Sequence, residues 1–145
     1  MLRNHTLLSL LLAAMTLYGC TRENEIITPP DPPVAGKGGP ATLRVTLQHH
    51  GNTINNGMIW VKYNSEVKPA DTVGFDDSMV VTLIDNRPLA RFDTLRQGTY
   101  YFWGMGFDND PLIQDTVVGG GVFVIPDMDT TAYDLYLNVS ELNGH

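Results

Sequence analysis

Apolar and polar residues alternate along much of the chain after Ala41. In Leu43-Arg44-Val45-Thr46-Leu47-Gln48 the alternation is strict, which is typical of a strand with one buried face. Six later segments are rich in Val, Ile, Tyr, Phe and Trp and have the length of strands: Met58–Tyr63, Met79–Ile84, Leu89–Leu95, Thr99–Phe107, Val122–Ile125 and Tyr133–Val139. Turn-forming sequences separate them, and no segment has a helical period. Seven short strands predict an all-β domain in residues 41–142, folded as an antiparallel two-sheet sandwich.

One segment resembles a known strand sequence. Phe92-Asp93-Thr94-Leu95-Arg96-Gln97-Gly98-Thr99-Tyr100 is similar to the F-x-x-L-x-x-G-x-Y pattern of carboxypeptidase regulatory-like, prealbumin-like and Cna-B-like domains. Fibronectin type III domains have a similar pattern with the tyrosine one residue later, which Tyr101 satisfies. The resemblance implies an Ig-like or prealbumin-like sandwich with a buried tyrosine whose hydroxyl bonds to the backbone. It implies little about function, because this fold has many roles.

The choice between Tyr100 and Tyr101 decides which side chains face the core, since one residue of register moves every side chain to the other face. With Tyr100 inward, Tyr101, Trp103, Met105 and Phe107 share the outer face. That much exposed apolar surface marks a ligand or partner site. With Tyr101 inward, the same residues form core, which is the more common place for an aromatic stripe.

Trp60 shares this ambiguity, because it faces outward only if Ile59 and Val61 face inward. Flat aromatic rings on one surface suit stacking on sugars. The candidate ligand-binding residues are Trp60, Tyr101, Trp103 and Phe107.

Candidate metal ligands are few. Asp108 and Asp110 offer carboxylate oxygens of the kind calcium prefers, although aspartates in turns are more often solvated. His49 and His50 are neighbours at a strand end, so we expect them to face opposite sides and not to share a metal. No catalytic motif is present, which predicts a protein that is not an enzyme.

The N-terminus has the pattern of an export signal. Arg3 lies in a polar start, and the apolar stretch from Leu7 to Leu17 is shorter than the roughly 20 residues that span a bilayer. Leu17-Tyr18-Gly19-Cys20 resembles the lipobox of bacterial lipoproteins, with Tyr18 where a small residue is usual. The resemblance implies that residues 1–19 are a signal peptide and that Cys20, the only cysteine, carries lipid.

Residues 20–40 are rich in Pro and Gly and predict a tether between the lipidated Cys20 and the sandwich. Thr21 stands where an inner-membrane lipoprotein would have aspartate, which favours the outer membrane, on its periplasmic or cell-surface face. The net charge of −7 argues against nucleic acid as a partner. Two function classes remain: a binding module for a glycan or a peptide, and an assembly subunit that docks on an outer-membrane protein complex or a surface fibre.

Overall fold

The computed structural model describes residues 31–126 and 132–142, which form a β-sandwich. The predicted signal peptide, Cys20 and most of the predicted tether lie outside these residues. The strands are β1 (Lys37–His49), β2 (Asn52–Thr53), β3 (Gly57–Tyr63), β4 (Asp77–Val80), β5 (Thr82–Ile84), β6 (Arg87–Leu95), β7 (Gly98–Asp108), β8 (Asp115–Ile125), β9 (Ala132–Asn138) and β10 (Ser140–Glu141). Within the described ranges, no helix is long and apolar enough to cross a bilayer.

The strands form two sheets. In the first sheet β1 pairs with β6, β9 and the short β2, and β5 adds to β6. The second sheet has the order β10-β8-β7-β3-β4. Every pair is antiparallel except β1 and β9, which run parallel. The predicted all-β two-sheet sandwich is confirmed, with ten strands instead of seven.

Part of the difference in strand number comes from the predicted strand Met79–Ile84. The structure divides it into β4, in the second sheet, and β5, in the first. Val81 lies between them with its side chain buried, and its N–H donates to the Gly57 carbonyl at 2.9 Å. One predicted strand therefore contributes to both sheets, because the chain passes from the second sheet to the first at Val81.

The glycine triplet Gly119-Gly120-Gly121 lies inside β8, although its composition favours a turn. A Cβ on Gly119 would collide with the Asn138 carbonyl, where the chain passes from β9 to β10. A Cβ on Gly120 would collide with the Tyr101 hydroxyl and come within 2.9 Å of the Trp103 ring. These glycines make room for neighbouring strands and rings, so β8 is longer than the predicted strand.

The sandwich begins before Ala41, where the sequence pattern predicts its start. β1 begins at Lys37, and Ala35 is buried. Gly98 has a φ of 144°, and a Cβ there would lie 2.6 Å from the Ala35 nitrogen. The N–H of Arg96 also donates to the Gly36 carbonyl at 2.8 Å. The end of the predicted tether is thus part of the packed domain.

The register of β7 places Tyr100 in the core, where it is 0% exposed. Its hydroxyl donates to the Arg96 carbonyl at 2.6 Å and accepts from the Gly36 N–H at 3.0 Å. This is the expected bond from tyrosine to backbone. Between the sheets, Phe92 of β6 meets Phe102 of β7 edge to face, with ring centroids 5.5 Å apart. With Tyr100 inward, the alternate residues of β7 face outward.

Candidate functional site

The four candidate ligand-binding residues share the outer face of the second sheet. Tyr101, Trp103 and Phe107 alternate with buried residues along β7. Trp60 on β3 is the direct cross-strand partner of Trp103. We call Trp60, Tyr101, Trp103 and Phe107 the aromatic face. Phe107 is 41% exposed, and the other three are partly buried.

Aliphatic side chains extend the aromatic face across the sheet. Met58 on β3 lies opposite Met105 on β7, and Met105 is 42% exposed. On β8, Val118 lies opposite Met105, and Val122 lies opposite Tyr101. A sheet with one solvated face normally carries polar residues there. A contiguous apolar outer face is typical of an interaction surface.

Trp103 is held from two directions. The Lys68 ammonium lies 3.8 Å from the centroid of its ring, in cation–π geometry. The ring also packs against Gly120, where any larger residue would displace it. Lys68 and Gly120 therefore contact part of the Trp103 ring inside the domain.

Trp60 borders a groove of about 320 Å³. The ring of Phe75 lies beside it, with centroids 6.5 Å apart. Hydroxyl and carboxylate groups complete the walls, which are formed by Trp60, Thr72, Phe75, Asp76, Asp77 and Ser78. The surface of the groove is mostly polar: its oxygen atoms accept hydrogen bonds and its hydroxyls also donate, while Trp60 and Phe75 border it with rings tilted 41° to each other.

The carboxylates of this groove are fixed in place. Asp76 accepts from the Lys62 ammonium at 3.0 Å and from the Tyr63 N–H at 2.7 Å. Asp77 pairs with the Lys37 ammonium at 2.7 Å. Burial and these two carboxylates raise the pKa of Tyr63 to about 12, so the phenol is neutral at physiological pH. The hydrogen bonds of Asp76 and the ion pair of Asp77 preorganise the polar rim of the groove.

The sequence pattern missed Phe75 and Lys68 as members of this surface. Both lie between β3 and β4, in a segment with only a short 3-10 turn at Thr72–Gly74. Such a segment has no periodicity that would show which strand its side chains contact. The available signal was weaker: Phe75 is the only aromatic residue in the sequence between β3 and β4.

Of the two predicted calcium ligands, Asp108 is the last residue of β7 and Asp110 lies in the turn that follows. Asp108 accepts from the Asp110 N–H at 2.8 Å, and Asp110 accepts from the Leu112 N–H at 2.9 Å. These are bonds of aspartates that form turns. Among the described residues, the group of ligating side chains close enough to share a metal includes neither aspartate. Calcium binding at this turn stays a prediction.

The expectation that His49 and His50 face opposite sides is wrong. β1 ends at His49, and His50 has a φ of 48°, in the left-handed region. The strand alternation therefore stops between them, and the two rings stack with centroids 4.1 Å apart. His49 also approaches Asp108, with its Nδ1 2.7 Å from the Asp108 Oδ2.

Comparison with protein-family models, curated proteins and solved structures found no match for this chain.

Proposed function

We propose that this protein is a lipid-anchored cell-envelope protein whose sandwich is a non-catalytic binding module for a glycan. The observation that carries the proposal is the aromatic face of the second sheet, whose residue Trp60 borders a polar groove of hydroxyl and carboxylate groups. Ligand sites in proteins combine apolar surface with a few placed polar groups in this way. In this proposal, lipidated Cys20 is the anchor and attaches the domain to the outer membrane.

The chemistry of the groove favours a sugar. A pyranose ring has an apolar face that stacks on an aromatic ring. Its hydroxyls can donate hydrogen bonds to carboxylates, and they can both donate to and accept from the hydroxyls of Thr72 and Ser78. The net charge of −7 disfavours phosphorylated or otherwise anionic ligands. A neutral glycan fits both the groove and the charge.

Replacing Trp60 with alanine should abolish most glycan binding and leave the domain folded. We expect affinity to fall at least about tenfold, equivalent to about 1.4 kcal/mol, because the stacking surface is lost. The measurement is a glycan array with the full-length protein in detergent, followed by calorimetric titration of the best ligand. Circular dichroism checks the fold of each variant.

Tyr136→Ala is the matched control for this experiment. Tyr136 is an aromatic residue of β9 in the first sheet, 52% exposed and away from the groove. Its variant should bind as the unchanged protein does. Equal loss in both variants, or full binding by Trp60→Ala, would contradict the site. A Trp103→Ala variant that unfolds would show that Trp103 serves the core and not the ligand.

A second function, assembly on an envelope complex or fibre, is favoured by the edge of β8. One edge of β8 pairs with β7. On the other edge, residues 119–125 have no strand partner among the described residues. Val124 in this part is 56% exposed. A peptide strand of a partner protein can add to such an edge. Crosslinking in native membranes tests this function, and recovery of one envelope protein bound through β8 would favour it over glycan binding.

The anchor itself has a direct test. Changing Cys20 to alanine should abolish lipid labelling and release the protein from membranes in soluble form. At about 0.8 kcal/mol per buried CH₂, two or more acyl chains give stable attachment, and their loss removes it. The measurement is metabolic labelling with a fatty-acid analogue and fractionation of membranes. A Cys20→Ala variant that stays in the membrane fraction would contradict the lipoprotein proposal.

A further inference from the structure

Four polar side chains meet at one end of the sandwich, where strands of both sheets end. His49 closes β1, Asp108 closes β7, and Glu141 lies on β10. His50 follows His49 directly. We call His49, His50, Asp108 and Glu141 the histidine cluster. It lies apart from the groove beside Trp60 and shares no residue with it.

The environment of His49 is unusual for a histidine. Its side chain continues the inward face of β1, after Leu43, Val45 and Leu47, and is 1% exposed. Nδ1 is bonded to Asp108, but Nε2 is buried without a hydrogen-bond partner among the described residues. The Glu141 Oε1 lies 3.3 Å from this nitrogen, but without hydrogen-bond geometry. A buried polar nitrogen without a hydrogen-bond partner is rare in folded proteins, and a bound ion or water is a common explanation.

His50 brings a second imidazole to the same place. Its positive φ turns the ring back over His49, with an angle of 21° between the ring planes. One ligand atom each from His49, His50 and Glu141 can be chosen so that all three lie within 4.8 Å of one another. In the stacked arrangement the two rings cannot aim their nitrogen lone pairs at one ion, so His50 must rotate out of the stack to bind a metal together with His49. Its exposed side chain has room to do so.

We propose that His49, His50 and Glu141 bind a divalent transition-metal ion of the zinc class. Zinc bonds of about 2.0–2.2 Å in tetrahedral geometry place two donor atoms about 3.3 Å apart. The His49 Nε2 and the Glu141 Oε1 have this separation. Two imidazoles and one carboxylate suit zinc, cobalt or nickel better than calcium, which takes oxygen ligands. Three protein ligands leave the fourth position for water.

Asp108 has the role of a positioning residue in this site. Metal-binding histidines usually donate their other N–H to a carboxylate, which sets the tautomer and aims the free nitrogen at the metal. The Nδ1 of His49 and the Asp108 Oδ2 are 2.7 Å apart, and both side chains are buried. The bond places the proton on Nδ1 and leaves the Nε2 lone pair free for a metal.

A proton on Nε2 is the competing occupant. It would make His49 a cation between two carboxylates, and its hydrogen bond to Asp108, together with the negative charges of Glu141 and Asp108, raises its pKa against the opposing effect of burial. The two occupants make different demands on His50. A metal needs it as a ligand, whereas a proton shared between His49 and Glu141 does not.

The test is titration of full-length protein in detergent with Co²⁺, after a chelator has removed bound metal. We expect one equivalent of Co²⁺ to give visible absorption bands of a tetrahedral site, which Zn²⁺ then displaces. His50→Ala and Glu141→Gln should each weaken binding at least tenfold, because each removes a ligand. Asp108→Asn should weaken it about 10- to 100-fold, as loss of an outer carboxylate does.

His145→Ala is the matched control, since it removes the only other histidine after Cys20. This variant should bind Co²⁺ as the unchanged protein does. Absence of the absorption bands would overturn the proposal and leave the proton as the occupant. Unchanged binding by His50→Ala, or equal loss in His145→Ala, would overturn it as well. The groove beside Trp60 shares no residue with the histidine cluster, so variants of Trp60 test glycan binding and variants of the cluster test metal binding.

Discussion

Replacing Tyr100 with alanine should destabilise the domain by about 3–5 kcal/mol, the usual cost of removing a large aromatic side chain from a core. Tyr100 packs against Tyr63 and Phe102, with ring centroids 5.6 and 6.3 Å away. Its hydroxyl also holds the segment before β1 to the end of β6, through Gly36 and Arg96. Equilibrium unfolding in urea measures the loss as a lower midpoint with an unchanged slope.

Two further variants test the contribution of the Tyr100 hydroxyl and the register of β7. Tyr100→Phe keeps the ring and removes the hydroxyl, so it should cost about 1–3 kcal/mol through the polar groups left without a partner. Tyr101→Ala is the register control and should cost clearly less than Tyr100→Ala, because Tyr101 lies on the partly exposed outer face. If Tyr101→Ala were the more damaging variant, the register of β7 and the aromatic face would both be wrong.

The strand pattern predicted the sandwich but could not choose this register. Two tyrosines in succession fit the alternation equally well, and each satisfies a known sequence pattern. The choice depends on contacts that are distant in sequence, above all the close approach of Ala35 to Gly98 and the bond from Gly36 to Tyr100. Local alternation shows which residues of a strand share a face. Which of the two faces is buried depends on segments elsewhere in the chain that pack against it.

Local rules failed where tertiary contacts opposed them. The glycines of β8 have the composition of a turn, yet they lie in a strand because Asn138 and Trp103 need the space. The rule of opposite faces failed at His50, because it holds only while the backbone stays extended. Both features were visible in the sequence as residue types, but their roles depend on which segment packs beside them.

The candidate sites show the same limit. The aromatic stripe of β7 could be predicted from spacing, whereas Phe75, which lies beside Trp60 of β3, and the histidine cluster could not. Glu141 reaches His49 only because the chain crosses from β9 in the first sheet to β10 in the second. A site that is assembled from the ends of three strands in two sheets has no motif of fixed residue spacing in the sequence.

Changing His49 to alanine should destabilise the metal-free domain by about 3–5 kcal/mol, because it leaves the buried Asp108 carboxylate without its partner. The expected loss is of the same order as that of Tyr100→Ala, although His49 is smaller. Chemical denaturation in the presence of a chelator measures it without any contribution from a metal. Asp108→Ala should also be costly, since it removes the bond to the buried His49 Nδ1.

The double variant His49→Ala with Asp108→Ala should cost less than the sum of the two single changes, because the second change removes the group that the first left unpaired. A coupling of about 0.5–3 kcal/mol is usual for residues in direct contact. His50→Ala is the control, since its exposed side chain should contribute within about 0.5 kcal/mol. Additive single variants would mean that His49 and Asp108 do not interact in solution. A stable His50→Ala variant that has lost Co²⁺ binding would separate the metal site from the buried pair that supports it.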